Sequence, residues 1–237
     1  MLINCDIGER GVGHTRDDEL MQHIDIANIA CGGHAGNAQS VEYYCALAKA
    51  HGVKISAHLS YPDPVNFGRS AMTMDDKALL DSLDEQYALL SEIKTLKLHG
   101  ALYNEANINR PLAQLLMNWA KSAGIKEVLA PEHSEVAIFI DKHINEFADE
   151  PEDKISVIHE VFLDRRYVYE NNALQLMSRR HVDALITNTD EAIKQYQNFL
   201  NHRLEIDNEQ YNIRAVTGCI HSDSDNSLEL ICAIKNV

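Results

Sequence analysis

Much that would mark a specialised protein is missing from these 237 residues. The five cysteines (5, 31, 45, 219 and 232) form an odd set without a C-x-x-C pair, which argues against a disulfide framework or a zinc knuckle. No apolar run approaches the ~20 residues needed to cross a bilayer. The first residues, Met-Leu-Ile-Asn-Cys-Asp, lack the basic start and apolar stretch of a secretory leader, so the expected location is cytoplasmic. Cations are also short: 21 Lys and Arg against 36 Asp and Glu give a net charge of −15. A chain this acidic repels phosphate backbones and anionic headgroups, which excludes nucleic acid and membrane surfaces as default partners. No Gly-Lys-Ser/Thr loop announces a nucleotide site.

What remains is the composition of a globule, 45% apolar and 24% charged, with one excess: twelve histidines. The length suits one domain over residues 1–237. Apolar runs at 1–5, 24–30, 54–57, 94–98, 127–130, 155–161 and 214–220 read as strands. Helical periodicity lies between them. Val41, Tyr44, Cys45 and Ala48 run toward a stop at Gly52, and Leu79, Leu83, Tyr87 and Leu90 share a face after Asp75. Pro111 opens a stripe of Leu112, Leu115, Leu116 and Trp119 that ends at Gly124. Further helices are expected at 134–147, 190–201 and 224–235, and an acidic solvated loop at 145–154. No block of hairpin signals interrupts the β-α order, so parallel strands with right-handed crossovers follow, in an open sheet or a closed barrel.

Ionisable residues recur just after the apolar runs. Asn4, Asp6 and Glu9 follow the first, His34 the second, His58 the third and His99 the fourth; Glu160 and His221 end later ones. Either parallel architecture gathers strand carboxyl ends on one face, so these groups are predicted to converge. Lys97 and His99 share a strand face by the period-two rule, and a buried Lys there calls for an anion. His14, His23, His51, His133, His143, His181 and His202 lack this register and are assigned to the surface, while His159 should point away from Glu160. The run at 31–36, with three glycines, is either a tight turn or an anion cradle before a helix start at Asn37. Cys31 reads as a small buried residue rather than a nucleophile. Arg69, in the long connection after His58, either grips an anionic ligand or is tethered to Asp63.

Six ordered motifs then resemble one family. They are Ile-Asn-Cys-Asp-Ile-Gly-Glu, Ala-Asn-Ile-Ala-Cys-Gly-Gly-His-Ala-Gly, Tyr-Pro-Asp-x-x-x-Phe-Gly-Arg, Lys-Leu-His-Gly-Ala-Leu-Tyr-Asn, Glu-Val-Phe-Leu-Asp-Arg-Arg-Tyr and Ile-His-Ser-Asp. The resemblance is to the LamB/YcsF family, that of the A subunits of bacterial ATP-dependent 5-oxoprolinase. It implies an irregular, TIM-like (β/α) barrel of the glycoside hydrolase/deacetylase superfamily. It also implies ATP-coupled cleavage of the 5-oxoproline lactam to L-glutamate, with B and C type partner subunits. The family's polar motif positions fall on Asn4, Asp6, Glu9, His34, His58, Asp63, Arg69, Lys97, His99, Asn104, Glu160, Asp164, Arg165, Arg179 and His221.

Of these, Asp6, His58, His99 and Glu160 are the expected catalytic groups, and the others are expected to bind substrate. The sequence departs from the pattern at Gly33 (usually Phe), Asn37 (Asp), Leu98 (Pro), Ser222 (Gly) and Met-Ser-Arg at 177–179 (Val-Pro-Arg). Two alternatives stand beside this reading. One is a metal-dependent amide hydrolase or deacetylase acting on a small or carbohydrate substrate, with a divalent ion on Asp6, His58 and His99. The other is a module that binds a small acid without turning it over. Oligomeric state stays open.

Overall fold

A computed structural model describes residues 1–148, 150–170 and 173–237. Its strands are β1 (Leu2–Ile7), β2 (Ile26–Ala30), β3 (Lys54–Leu59), β4 (Thr95–Leu98), β5 (Glu127–Ala130), β6 (Ser156–Phe162), β7 (Tyr167–Glu170), β8 (Ala173–Leu176), β9 (Arg203–Ile206), β10 (Glu209–Asn212) and β11 (Thr217–Cys219). Seven of them close a barrel in the order β1-β11-β6-β5-β4-β3-β2, with every pairing parallel. Closure removes both sheet edges, and it seats the last strand against the first, Asn4 beside Cys219.

Helices wrap the barrel: α1 (Thr15–Leu20), α2 (Ala38–His51), α3 (Asp76–Tyr87), α4 (Gly100–Ile108), α5 (Arg110–Ser122), α6 (Glu135–Phe139), α7 (Thr189–Leu200) and α8 (Ser227–Lys235). Local chemistry sets their ends. Asn37 caps α2, accepting from the Ser40 amide while the Ser40 hydroxyl accepts from the Asn37 amide, and Gly52 closes it at φ 68°. Pro111 sits in the first turn of α5, where its missing N–H costs nothing. Of the α5 stripe, Leu116 and Trp119 are buried and Leu112 and Leu115 half-buried. Each fully buried apolar side chain contributes about 1.5–3 kcal/mol.

The barrel is apolar outside and polar inside. Along β1, Ile3, Cys5 and Ile7 belong to the hydrophobic core, whereas the alternate residues Asn4 and Asp6 hydrogen-bond across the bore. Parallel α/β barrels usually fill the bore with layers of branched apolar residues. Here Asn4, Asn28, Ser56, Lys97, Glu160 and Thr217 are all buried. That polar filling positions the site described below.

Several expected elements shift. The parallel strands agree within a few residues, but two antiparallel hairpins, β7-β8 and β9-β10, interrupt the β-α order between β6 and β11. Neither stretch, 167–176 or 203–212, contains an Asn-Gly or Asp-Gly pair. The β9-β10 turn instead holds Asp207 and Asn208 at φ 51° and 67°. The expected 134–147 helix ends at Phe139 and continues as a π-helical stretch, Ile140–Asn145. Its predicted acidic loop is exposed at 150–154, with a short 3-10 turn at Pro151–Asp153; residue 149 lies outside the described residues. The helices α1 and α4 are additions to the sequence pattern, α1 because six residues carry too little periodicity. None of the described helices is long and apolar enough to cross a membrane.

Candidate active site

The carboxyl ends of the barrel strands open into a cavity of about 950 Å³. At its floor Lys97, nearly inaccessible, places Nζ 3.0 Å from Asn4 Oδ1, 3.1 Å from Asp6 Oδ1 and 3.1 Å from Cys219 Sγ. These contacts use all three ammonium donors. Glu160 Oε1 stands 2.9 Å from the same nitrogen as an ion pair without an aligned hydrogen bond, while Tyr103 donates to Glu160 Oε2 at 2.9 Å. Burial would discharge Lys97, yet Asp6, Cys219 and Glu160 hold its pKa well above the usual lysine value. Burial would likewise raise the Asp6 carboxyl, but His58 and Lys97 hold it well below the ordinary range. Asp6 is therefore ionised at neutral pH. Asn28, paired with Asp6 in the β1-β2 register, donates to both Asn4 and Asp6.

Above this floor three imidazoles meet. His58 Nε2 lies 3.0 Å from His99 Nδ1 and 3.4 Å from Asp6 Oδ2. Glu9 Oε1 lies 3.0 Å from His34 Nε2, 3.5 Å from His99 Nδ1 and 3.9 Å from His58 Nε2. The far nitrogen of each facing ring points at a carbonyl: His58 Nδ1 at Lys97 O (3.3 Å), His99 Nε2 at Phe67 O (3.0 Å). A carbonyl only accepts, so both far nitrogens carry the proton in the neutral rings. The 3.0 Å contact between the two facing nitrogens is then a hydrogen bond when one further proton lies between the rings, beside the Glu9 and Asp6 carboxylates. Burial, with His34 and His58 alongside, holds His99 well below the usual histidine pKa, and burial lowers His34 too.

Backbone geometry is spent on this arrangement. Phe67, whose carbonyl fixes the His99 tautomer, sits at φ 56°, an uncommon conformation for a bulky residue. Beside it Gly68 lies so close that a Cβ would come 2.9 Å from His34 Cβ and 3.0 Å from His99 Cδ2.

Asp6, His58, His99 and Glu160 thus come together at one mouth, as the strand-end positions predicted. Arg69, Lys97, Asn104, Arg165, Arg179 and His221 also line the cavity. Asn4 lies beneath Lys97, and Glu9 and His34 form the rim of the imidazole cluster. Asp164 sits behind His221, accepting from its backbone and its Nδ1 at 2.8 and 2.9 Å, and His221 holds the Asp164 pKa below its ordinary value against burial. Asp63 does not line this cavity: its Oδ1 accepts from the Asn66 amide and side chain and holds the loop, while its Oδ2 has no partner among the described residues. The Arg69–Asp63 tether is likewise absent, because Arg69 pairs with Asp223.

The glycine run is a turn, with Gly32 and Gly36 at φ 97° and 82°, and the first amides of α2 are capped by Asn37 and Ser40. Cys31 is buried, and burial raises its thiol to about 12, so it is inert. His14 and His23 are half-buried rather than on the surface. His133, exposed as expected, nevertheless lines the cavity. Asn28, Tyr103, Cys219 and Asp223 were not singled out as site residues. Period-two alternation back from His221 could have flagged Cys219.

A profile of the LamB/YcsF family matches residues 1–237. The A subunit of 5-oxoprolinase from Staphylococcus saprophyticus is 32% identical over 246 aligned positions, covering 98% of this chain and 92% of that protein. Its counterpart from a Staphylococcus aureus strain is 30% identical, covering 99% and 94%. The chain belongs to the LamB/YcsF family. The crystal structure of a lactam utilization protein from Thermus thermophilus superposes with a TM-score of 0.80 at 28% identity, over the whole chain and 94% of that structure.

One departure from the LamB/YcsF pattern has a structural account. A Cβ on Gly33 would lie 2.3 Å from Gln86 Oε1 and 2.4 Å from Ser60 Oγ. Gln86 occupies that space, accepting from the Ser60 amide and donating to its carbonyl. Asn37 keeps its capping role without a charge. Nothing in the structure explains Leu98.

Proposed function

We propose that this LamB/YcsF chain acts as one domain, the A subunit of an ATP-dependent 5-oxoprolinase that opens the 5-oxoproline lactam to L-glutamate. Partner subunits of B and C type complete the assembly, and the setting is cytoplasmic. The observation that carries this reading is the meeting of Asp6, His58, His99 and Glu160 around Lys97, in a family whose relatives are named for this activity.

A lactam resists water because its nitrogen donates into the carbonyl and leaves poorly. Transfer of the terminal phosphoryl group of ATP to the carbonyl oxygen, with ADP leaving, makes the ring carbon electrophilic. Water then adds there, C–N cleavage leaves an acyl phosphate, and a second water releases inorganic phosphate and glutamate. The hydrogen-bonded pair of His58 and His99 suits the removal of a proton from attacking water, and a proton must then reach the ring nitrogen as the C–N bond breaks. Asp6 and Glu160 orient these groups and keep Lys97 charged. Arg69 holds the carboxylate of the substrate or the transferred phosphoryl group, and Lys97, its donors already engaged, supplies positive charge from the floor. The remaining family positions line the pocket or brace those that do.

The direct test is glutamate release from 5-oxoproline plus ATP, with and without the partner subunits. His99→Ala should keep the fold and lower turnover about 10²–10⁴-fold. Full activity in that variant would remove His99 from the scheme.

A second reading, a metal-dependent amide hydrolase, is favoured by one observation. Ligating atoms of Glu9, His34, His58 and His99 all lie within 4.8 Å of one another, a donor set that suits a borderline divalent cation. These residues, rather than Asp6 with His58 and His99 alone, would hold it, and the ion would lower the pKa of bound water. Turnover lost to a chelator and indifferent to ATP would select this reading.

A further inference from the structure

The cavity that holds Lys97 is unusual in where its charges are left over. Among the described residues three carboxylates line it, and each already has a cation. Asp6 and Glu160 share Lys97, while Glu132 accepts from the amide and the guanidinium of Arg214. Four arginines also line it, Arg69, Arg165, Arg179 and Arg180, in a chain with a net charge of −15. Arg69 and Arg179 compete for a single oxygen, Asp223 Oδ2. Among the described residues neither Arg165 nor Arg180 is ion-paired.

Arg165 is the informative one. It is 6% exposed, its guanidinium donates to the Met177 carbonyl at 2.6 Å, and its Nε has no partner. The adjacent carboxylate, Asp164, is turned away onto His221. Burial, reinforced by Arg179 and Arg69, lowers the Arg165 pKa to about 10. A buried guanidinium with a spare donor and no ion-pair partner calls for an anion to satisfy it.

A carboxylate or a phosphate would satisfy it, and the volume separates the two. About 950 Å³ is the size of a pocket for a drug-sized ligand, and a lone five-membered lactam acid occupies only a small part of it. Resting on the ATP-coupled reading above, we propose that Arg165 and Arg179, with Arg69 beside them, form a phosphate subsite. The phosphate end of the nucleoside triphosphate would then enter this chain's own barrel rather than reside wholly in partner subunits. Planar guanidiniums offer paired donors to phosphate oxygens, so the subsite needs no glycine-rich loop.

Pyrophosphate is the probe, titrated calorimetrically into the full-length chain. Binding should be one to one and weaken roughly tenfold or more in both Arg165→Gln and Arg179→Gln, the loss expected for a charged hydrogen bond. Arg203→Gln, on the exposed strand β9, should leave it unchanged. Circular dichroism and thermal melts identify any variant that has lost its fold, and Arg165→Lys then replaces it, with partial retention expected. A competition arm separates the two anions: 5-oxoproline should bind together with pyrophosphate. The proposal is overturned if pyrophosphate does not bind, if both glutamine variants bind it normally, or if 5-oxoproline displaces it competitively. Glutamate release by the complete assembly tests the lactam reading separately, since it can persist with the nucleotide held elsewhere.

Discussion

The imidazole wall of the cavity stands on β1, β3 and β4 of the closed sheet, whereas the arginine wall hangs on the connection between β6 and β11, with Arg69 added from the long loop after β3. In the first, the central groups are held by a neighbouring strand or loop: Asp6 by Asn28 and Lys97, His58 by the Lys97 carbonyl, His99 by the Phe67 carbonyl. In the second, Arg165 and Arg179 reach from a hairpin-bearing excursion and Arg69 from the loop after β3, and their partners are few: Arg165 has one carbonyl, and Arg69 and Arg179 share one carboxylate oxygen. Sheet-borne groups are preorganised by a ladder that costs the site nothing to maintain, which suits chemistry. Loop-borne cations with unused donors suit a ligand that brings its own charge.

The largest expected effect lies on the first wall. Lys97→Met leaves Asp6 and Glu160 buried without their cation, so urea denaturation should show a loss of about 3–5 kcal/mol. A loss below about 1 kcal/mol would mean the bore is wetter or less preorganised than its geometry implies.

An intermediate effect is expected behind the second wall, where Asp164 supports His221. The folded-state Asp164 pKa is depressed, so its contribution is present above the unfolded value of about 3.9 and is lost as pH falls through the folded value. Asp164→Asn should therefore cost about 1–3 kcal/mol at neutral pH and flatten the acid limb of the stability profile. Thermal melts from pH 7 downward check this, and an unchanged slope would place the His221 contact outside the acid transition.

The smallest effect belongs to Arg69. Its pair with Asp223 is partly exposed on both sides (37% and 27%), so Arg69→Gln should change stability by no more than about 1 kcal/mol. Stability insensitive to Arg69 yet steeply dependent on Lys97 would sharpen the contrast between the walls. Equal losses would erase it.

Much of the first wall was legible beforehand, and much of the second was not. Asp6, His58 and His99 stand at or near the carboxyl ends of apolar runs, and a parallel sheet carries all such ends to one side. The two hairpins escape notice because Tyr167–Leu176 and Arg203–Asn212 lack the turn pairs that mark hairpins and cover only four residues per strand. The Arg69 partner is hidden for a different reason. Asp223 is 154 residues away, and nothing near Arg69 indicates it, so Asp63 is the local candidate that the sequence offers instead.

Sequence alone determined the alternation of strands and helices, the capped start of α2 at Asn37 and its stop at Gly52, and the placing of ionisable groups after apolar runs. Each of these depends on residues within a few positions of one another, where propensity, capping and periodicity act. Tertiary structure decided that Lys97 neutralises carboxylates from β1 and β6 at once, that the bore is polar, and that Arg165 is left with a spare donor. Those outcomes depend on how a parallel sheet closes. Closure sets strands from opposite ends of the chain side by side, and no local pattern records which side chains then meet.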